Sequence, residues 1–314
     1  MQIFDLAIAW CWKYDADFVF QIDKECGQRG LLSYLIQPHN LFETMRKIDS
    51  GELGFKVFFD RASDQEEDFD ALVDLMKARQ VKMINDVDRA LWASDKATMH
   101  LEFLTNGIYV PYTVILPPYA ENPDLDSIPL EKVGKPFVIK PACGGCGDGV
   151  VLDAQSMEDI QIARQEYEDD NYLVQEKIIP VQVEDRRAWF RVFYVCGEVL
   201  PCWWDDQTKI ADILSPSQID EKIYSQIERI TRRISSICKL DLFSTEIALN
   251  SSEKLLVIDH VNDQVDLRKK SLHFDGIPDE VVDRIVASLV DCVRRYVSRT
   301  PTRTRKALAK CKKI

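Results

Sequence analysis

Apolar positions recur along this chain in two rhythms, and the changes of rhythm mark out the elements. Residues 5–10 and 31–36 are apolar runs of strand length, and Lys56-Val57-Phe58-Phe59 is a third. Before Lys82-Met83-Ile84, the positions Phe69, Leu72, Val73 and Met76 recur at helical spacing, which predicts a helix over 66–79. Strand, helix and strand in that order predict a small parallel α/β domain. The next helix is predicted over 94–106, with Ala97, Leu101 and Leu104 on one face and Gly107 as its stop.

Strands are predicted at 109–116, 136–140, 149–152 and 172–178. The polar connection 117–134 separates the first two, and Ser156-Met157-Glu158-Asp159 reads as a capping box for a helix to 169. Strands at 187–196 and 198–204 join through the tight Cys196-Gly197-Glu198 turn. Ile219, Ile223, Ile227, Ile230, Ile234 and Ile237 then form the core-facing stripe of a long helix. Strands at 242–249 and 255–261 flank the turn Asn250-Ser251-Ser252-Glu253, and a final helix covers 279–297. The expected organisation is α/β: an N-terminal domain over 1–93, a lobe over 94–173, a second lobe over 174–300, and a basic tail over 301–314.

Composition narrows the class. With 314 residues, 46% of them hydrophobic, the chain can bury the cores of two or three domains. No apolar run approaches the roughly 18 residues of a membrane span, so no membrane partner is expected. The start, MQIFDLAIAWCWKYD, lacks a basic stretch before its apolar run and reads as a first strand rather than a signal peptide. Nine scattered cysteines suit free thiols in a reducing compartment, so a cytoplasmic location is expected. The net charge of −12 argues against a nucleic-acid partner. From Arg294 onward there are nine Lys/Arg and no acid, which reads either as a solvated end or as a contact to acidic surface. A homodimer is compatible with all of this.

Candidate chemistry gathers around KPACGGCGDGVVL, from Lys140 to Leu152, where Gly144, Gly145, Gly147 and Gly149 fall within six residues. A P-loop needs its lysine after the glycines, and a dinucleotide fingerprint needs a following helix; this stretch has neither. A hairpin loop whose bare backbone approaches phosphate oxygens fits, with Lys140 as the cation; a plain mobile hairpin tip is the rival reading. Cys143 and Cys146 make a CxxC without the second pair that zinc would want. Lys96 gains meaning only beside Lys140, because a triphosphate needs several cations. Glu246, Asp259 and Asn262 lie on neighbouring strand ends, as a hard oxygen-ligated cation such as Mg²⁺ would need; as isolated residues they would be sheet-edge charges. His260 is a poor ligand for that ion. Arg191 and Arg268 stand among apolar residues, either paired within the fold or aimed at an anion.

In this order the features resemble the ATP-grasp superfamily over about residues 80 to 270. Ile84-Asn85-Asp86 with Ser94-Asp95-Lys96 resembles the entry to its nucleotide-binding lobe. Val138-Ile139-Lys140-Pro141 and the glycine stretch resemble its second lysine and phosphate-covering hairpin. The resemblance implies an adenine hinge at Gln175, Glu176, Lys177 and Ile178, and a ribose acid at Glu184, with Asp185 as rival. It implies an arginine strand at Phe190-Arg191-Val192-Phe193, and metal ligands at Glu246, Asp259 and Asn262. The implied fold holds ATP between two α+β lobes behind an N-terminal parallel α/β domain. Two departures stand out. The family's metal segment usually has one residue between acid and asparagine, whereas His260 and Val261 both intervene here. Either a bulge keeps Asp259 in its role or the register shifts. The family also commonly has a basic residue near Trp203-Trp204-Asp205, and this chain has none before Lys209.

The function implied is ATP-dependent ligation of a carboxylate to an amine, small-molecule or peptide, through an acyl phosphate with release of ADP and phosphate. Mg²⁺ would bridge the phosphates, Lys96 and Lys140 would offset their charge, and Arg191 or Arg268 would hold the developing oxyanion. The alternatives are a kinase of the same fold acting on a small-molecule hydroxyl, and an ATP-binding sensor without turnover.

Overall fold

The computed structural model describes residues 1–125, 128–145, 147–183 and 185–299. The chain forms two units: residues 1–84 with those from 282 onward, and residues 85–281.

The first unit begins with β1 (Gln2–Trp10), α1 (Ala16–Gln28), β2 (Ser33–Ile36), α2 (Leu41–Asp49), β3 (Leu53–Arg61), α3 (Asp70–Ala78) and β4 (Lys82–Ile84). The strands form one parallel sheet in the order β2-β1-β3-β4. Leu6 to Ala9 and Val57 to Phe59 are buried, which is why these strands read as unbroken apolar runs. The helix predicted from Phe69, Leu72, Val73 and Met76 is α3, and all four of those side chains are buried. Helices α1 and α2 bury Phe18, Val19, Ile22 and Cys26, and Leu41, Thr44 and Ile48, on single faces. A buried bidentate pair of Arg61 with Asp15, at 2.7 and 2.9 Å, closes the end of β3.

The second unit opens with α4 (Val87–Ser94) and α5 (Lys96–Thr105), where one helix was expected. Asp95 divides them. Its extended backbone ends α4, while its carboxylate caps α5 by accepting from the N–H groups of Ala97 and Thr98. Such a cap contributes about 1 kcal/mol. The expected inner face of this helix needs correction: Leu101 and Leu104 are exposed, and Ala97, Met99, His100 and Phe103 are buried. Sheets approach α5 from two sides, so its inner surface is not a single 3.6-residue stripe. Ala97 packs against Ala142 and Leu173, whereas Met99 and Phe103 join the core that contains Phe190, Phe243 and Val261.

There follow β5 (Thr113–Leu116), α6 (Leu130–Val133), β6 (Phe137–Pro141), β7 (Val151–Ala154), α7 (Met157–Ala163) and β8 (Tyr172–Glu176). The strands form an antiparallel sheet in the order β5-β8-β6-β7, and the capping box at Ser156 and Asp159 is present. β5 is shorter than expected because the residues before it bond elsewhere: the carbonyl of Tyr109 accepts from Val257 N–H. After the two-residue strands β9 (Gln182–Val183) and β10 (Arg186–Arg187) come β11 (Trp189–Val195), β12 (Glu198–Trp204), β13 (Ala211–Ile213), α8 (Glu221–Cys238), β14 (Leu242–Leu249) and β15 (Leu255–Asn262). The long strands make an antiparallel sheet in the order β13-β12-β11-β14-β15. Its core face carries Phe190, Val192, Phe243 and Ile247 and meets Ile227 and Ile234 of α8; Ile223, Ile230 and Ile237 pack at the margin.

The last helix, α9 (Asp279–Arg299), lies from Val282 onward in the first unit. There Arg29 forms an ion pair with Asp291 at 2.6 Å, and Asp283 accepts from Gln21 at 2.7 Å. The division at Ile84/Asn85 differs from the expected 93/94, because α4 packs against α8 and β15. Both antiparallel sheets, on either side of the expected 173/174 boundary, belong to the second unit. The basic tail beyond Arg299, Cys146 of the CxxC and the ribose candidate Glu184 lie outside the described residues. Among the described residues no helix is long and apolar enough to cross a membrane.

Candidate functional site

The site grows from the face of the five-stranded sheet opposite α8. Paired residues of an antiparallel ladder carry their side chains on the same face. The ladder sets Arg191 against Glu246 and Glu246 against Asp259, so a cation and two acids form one row across β11, β14 and β15. Trp189, two residues before Arg191, donates its indole N–H to Glu246 Oε2 at 2.9 Å. Trp204 lies under the guanidinium of Arg191, whose central carbon is 4.9 Å from the ring centroid. Arg191 Nε is buried with no hydrogen-bond partner among the described residues.

The spacing that departs from the family resolves here into a bulge. Glu246 pairs with Asp259 and Ser244 with Asn262, so three steps along β15 match two along β14. The extra residue is absorbed, and Asn262 returns to the face that carries the acids. Thr245 Oγ1 holds the kink by donating to the carbonyl of Asp259 at 2.8 Å. His260, in the bulge, is fully buried and stacks on Phe103 of α5 at 5.4 Å between centroids, with His100 edge-on at 5.7 Å. Neither ring nitrogen of His260 finds a partner among the described residues, a cost of about 1–3 kcal/mol for each unsatisfied buried polar group. Burial, and then the charge of Lys140, push His100 down to about 4; the same causes hold His260 well below its ordinary value.

The second wall comes from the four-stranded sheet. Lys140 on β6 is only 6% exposed, and its Nζ donates to the carbonyl of Ile258 at 2.9 Å, one residue before Asp259. Burial pulls its pKa down to about 8; Asp259 and Glu246 oppose that shift and Lys96 adds to it. Lys140 therefore lies within electrostatic reach of the other lysine and of both acids. Lys96 opens α5, and its Nζ donates to the carbonyl of Gly144 at 2.5 Å, while its backbone N–H donates to Ala142 at 2.9 Å. Gly144 and Gly147 have φ of 98° and 83°, which side chains rarely adopt. At Gly144, Gly145 and Gly147 an added Cβ would meet nothing within 4 Å, so the loop between β6 and β7 presents bare backbone to open space.

Glu246 still shows some surface to solvent, yet burial, then the charge of Asp259, raise its pKa; Arg191, Lys209 and the bond from Trp189 act the other way. Two acids side by side, one of them held above its ordinary pKa, are relieved by a cation between them. Glu246, Asp259 and the amide oxygen of Asn262 form a hard oxygen set that fits Mg²⁺.

Other expected residues have occupied side chains. Gln175 is buried and donates to Thr113 Oγ1 at 3.0 Å. Glu176 accepts from Tyr112 N–H at 3.2 Å, and Lys177 pairs with Asp153 at 2.5 Å. Ile178 is buried just beyond β8. The side chains of Gln175, Glu176 and Lys177 are thus already engaged within the fold. The guanidinium of Arg268 is already engaged, by Asp266 and Asp275 at 2.7 and 3.0 Å. Sequence reasoning missed Trp189 and Trp204 as partners of Glu246 and Arg191, and it passed over Lys209, which reaches Glu246 by charge. The alternation along β11 and β12 carried the signal for both tryptophans.

No protein-family model and no curated protein matches the chain. Solved structures do. D-alanine–D-alanine ligase from Bacillus anthracis, complexed with ATP, superposes with a TM-score of 0.64 at 12% identity, over 94% of this chain and 96% of that one. The RimK domain protein ATP-grasp from Sphaerobacter thermophilus gives 0.62 at 17% identity, over 92% and 99%. The chain has the ATP-grasp fold. The macrocyclase MdnC from Microcystis aeruginosa, bound with precursor peptide MdnA, shares it with a TM-score of 0.62 at 10% identity, over 91% and 99%. In the ATP-grasp fold as this chain builds it, Lys96 and Lys140 come from one sheet and its neighbouring helix, and the acids come from the other sheet.

Proposed function

We propose that the protein is an ATP-dependent ligase that joins a carboxylate to an amine through an acyl phosphate. The observation that carries this reading is a convergence within one unit: Lys140 donates to the carbonyl of Ile258 beside Asp259, Asp259 pairs with Glu246 across the ladder, and Lys96 donates to Gly144 in the loop after Lys140. The ligases and the peptide macrocyclase of the same fold support the reaction class.

In this reading Lys96 and Lys140 take the phosphate oxygens, Lys96 exchanging its bond to Gly144. Backbone N–H groups of Gly144, Gly145 and Gly147 approach the same oxygens, where no side chain stands in the way. Backbone groups of Gln175, Glu176, Lys177 and Ile178 meet adenine, and Glu184 or Asp185 meets the ribose. Glu246, Asp259 and Asn262 would hold Mg²⁺, which offsets phosphate charge when bound. A substrate carboxylate oxygen attacks the γ-phosphorus and ADP leaves. The amine then attacks the acyl carbon, phosphate leaves with the acyl oxygen, and the amine gives up a proton. Arg191 faces the oxyanion of that second step, with Trp204 keeping its guanidinium flat. Arg268 fixes a nearby loop rather than binding the anion.

The test is release of ADP and inorganic phosphate that depends on both an acid and an amine, screened over amino acids, peptides and metabolite acids. A phosphorylated product without phosphate release would make the protein a kinase. Tight nucleotide binding with no turnover across the screen would leave a sensor.

A further inference from the structure

The bulge in β15 is built around a side chain with no role in the chemistry above. We propose that His260 is a positioning residue for the metal ligands: its ring, packed between Phe103 and His100 of α5, holds the bulge that returns Asn262 to the row of Glu246 and Asp259. The inference rests on the reading of those three residues as a metal site.

Three observations carry it. The ladder needs an anchor at this point, because β15 takes three steps from Asp259 to Asn262 while β14 takes two from Glu246 to Ser244. A bulge leaves one residue unpaired, and its position depends on what its side chain does. His260 provides that anchor, being fully buried and stacked on Phe103 at 28° between ring planes. The ladder shifts register on both sides of Glu246, and the burial rhythm breaks with it: Ile258 and Asp259 are both half-exposed at the first shift, and His260 and Val261 are both buried at the second, where a regular strand would alternate. Finally, His260 meets two rings of α5, Phe103 at 5.4 Å and His100 at 5.7 Å between centroids, and neither of its nitrogens has a hydrogen-bond partner among the described residues, so ring packing is the contact that positions it. A flat, short side chain that fits between two rings on α5 is what the site retains. Through it the metal strand is held against Phe103 and His100 of α5.

The experiment is calorimetric titration of the full chain with a non-hydrolysable ATP analogue, once with Mg²⁺ and once with EDTA. The wild-type protein should bind more tightly with Mg²⁺. His260→Ala should keep its affinity in EDTA and lose about tenfold or more of the gain from Mg²⁺, the usual cost of removing the support of a metal ligand. His260→Phe, which keeps a flat ring against Phe103, should retain most of the gain. If His260→Ala does not fold, Phe103→Leu removes the stacking partner without touching the strand and should lose the gain in the same way. A full Mg²⁺ gain in His260→Ala, or equal losses with and without Mg²⁺, would overturn the proposal and leave the ligase reading standing. A wild-type protein that binds no nucleotide, or gains nothing from Mg²⁺, removes the ligase reading itself, and this inference goes with it.

Discussion

Arg191 and Arg268 carry the same guanidinium into opposite settings. Arg268 is closed off by carboxylates: Asp266 takes Nε and Nη2 at 2.9 and 2.7 Å, and Asp275 takes Nη2 at 3.0 Å. The bond to Asp266 holds its pKa above the ordinary value. The loop it fixes is tight enough that a Cβ on Gly276 would lie 2.6 Å from the carbonyl oxygen of Arg268. Arg191 has no carboxylate bonded to it among the described residues; it rests on Trp204 and faces Glu246 across the ladder. Their acids differ accordingly. Asp275 is pulled down by its bond to Arg268, whereas Glu246 is pushed up by burial and by Asp259. A charge satisfied by its neighbours builds structure. A charge left unsatisfied in a half-buried row is available to a ligand.

The sharpest way to break this contrast is to remove each arginine in turn. Arg191→Ala should lower turnover by about 10²–10³-fold, the usual loss when one oxyanion donor is removed. Nucleotide affinity should stay within about threefold, because the lysines and acids remain. Arg268→Ala should leave Asp266 and Asp275 without their cation, costing about 1–2 kcal/mol of stability while folded molecules keep their turnover. Steady-state rates and urea midpoints on both variants decide the matter. Loss of turnover in Arg268→Ala at unchanged stability would reverse the assignment.

Lys140 extends the contrast to pH, with a smaller effect. In the free protein burial holds its pKa at about 8, against an ordinary 10.5. A bound triphosphate would raise that value by its negative charge. Between the two values nucleotide binding takes up a proton, so affinity falls as pH rises above about 8, by up to about tenfold per unit. Below pH 8 the lysine is charged in both states and the dependence vanishes. Calorimetry at pH 8.5 in buffers of different ionisation enthalpy should show proton uptake in the wild type and none in Lys140→Ala. Equal uptake in both proteins would place the titrating group elsewhere.

Much of this site is legible in the sequence because each wall rests on short local patterns. The glycine stretch after Lys140, the apolar strands around Glu246 and Asp259, and the helix opening at Lys96 all lie where periodicity and turn residues put them. Asp95 was readable as a cap, but one residue that ends one helix and begins the next leaves no gap in the polar pattern. The bulge could be posed only as an alternative, since a ladder register depends on a partner strand that local sequence does not show. The two readings of Arg268, paired within the fold or aimed at an anion, stayed open for the same reason. Asp266 lies two residues away and could have been weighed, but Asp275 reaches the guanidinium only through the path of the loop. Leu101 and Leu104 misled because a helix approached by two sheets does not bury one stripe.

The acids give the finest test of the comparison, because the two arginine settings predict opposite signs. Glu246 is held above its ordinary pKa, so its ionised form is disfavoured by the fold. A group raised in this way contributes stability below the ordinary carboxylate range, and that contribution is lost as pH rises from there through its raised folded value. Glu246→Gln removes the carboxyl that the fold disfavours ionising, while keeping a hydrogen-bond acceptor for Trp189. The expected gain is about 1 kcal/mol, or about 2–4 °C in the thermal midpoint for a fold of this size. Asp275 is lowered by Arg268, so it contributes stability above the ordinary carboxylate range and loses it on acidification; Asp275→Asn should shift the midpoint slightly downward. Thermal melts at pH 7 without nucleotide measure both signs in one experiment. Should Glu246→Gln melt below the wild type, the row would be a settled ion pair like that of Arg268, and Arg191 would lose its claim to a free charge.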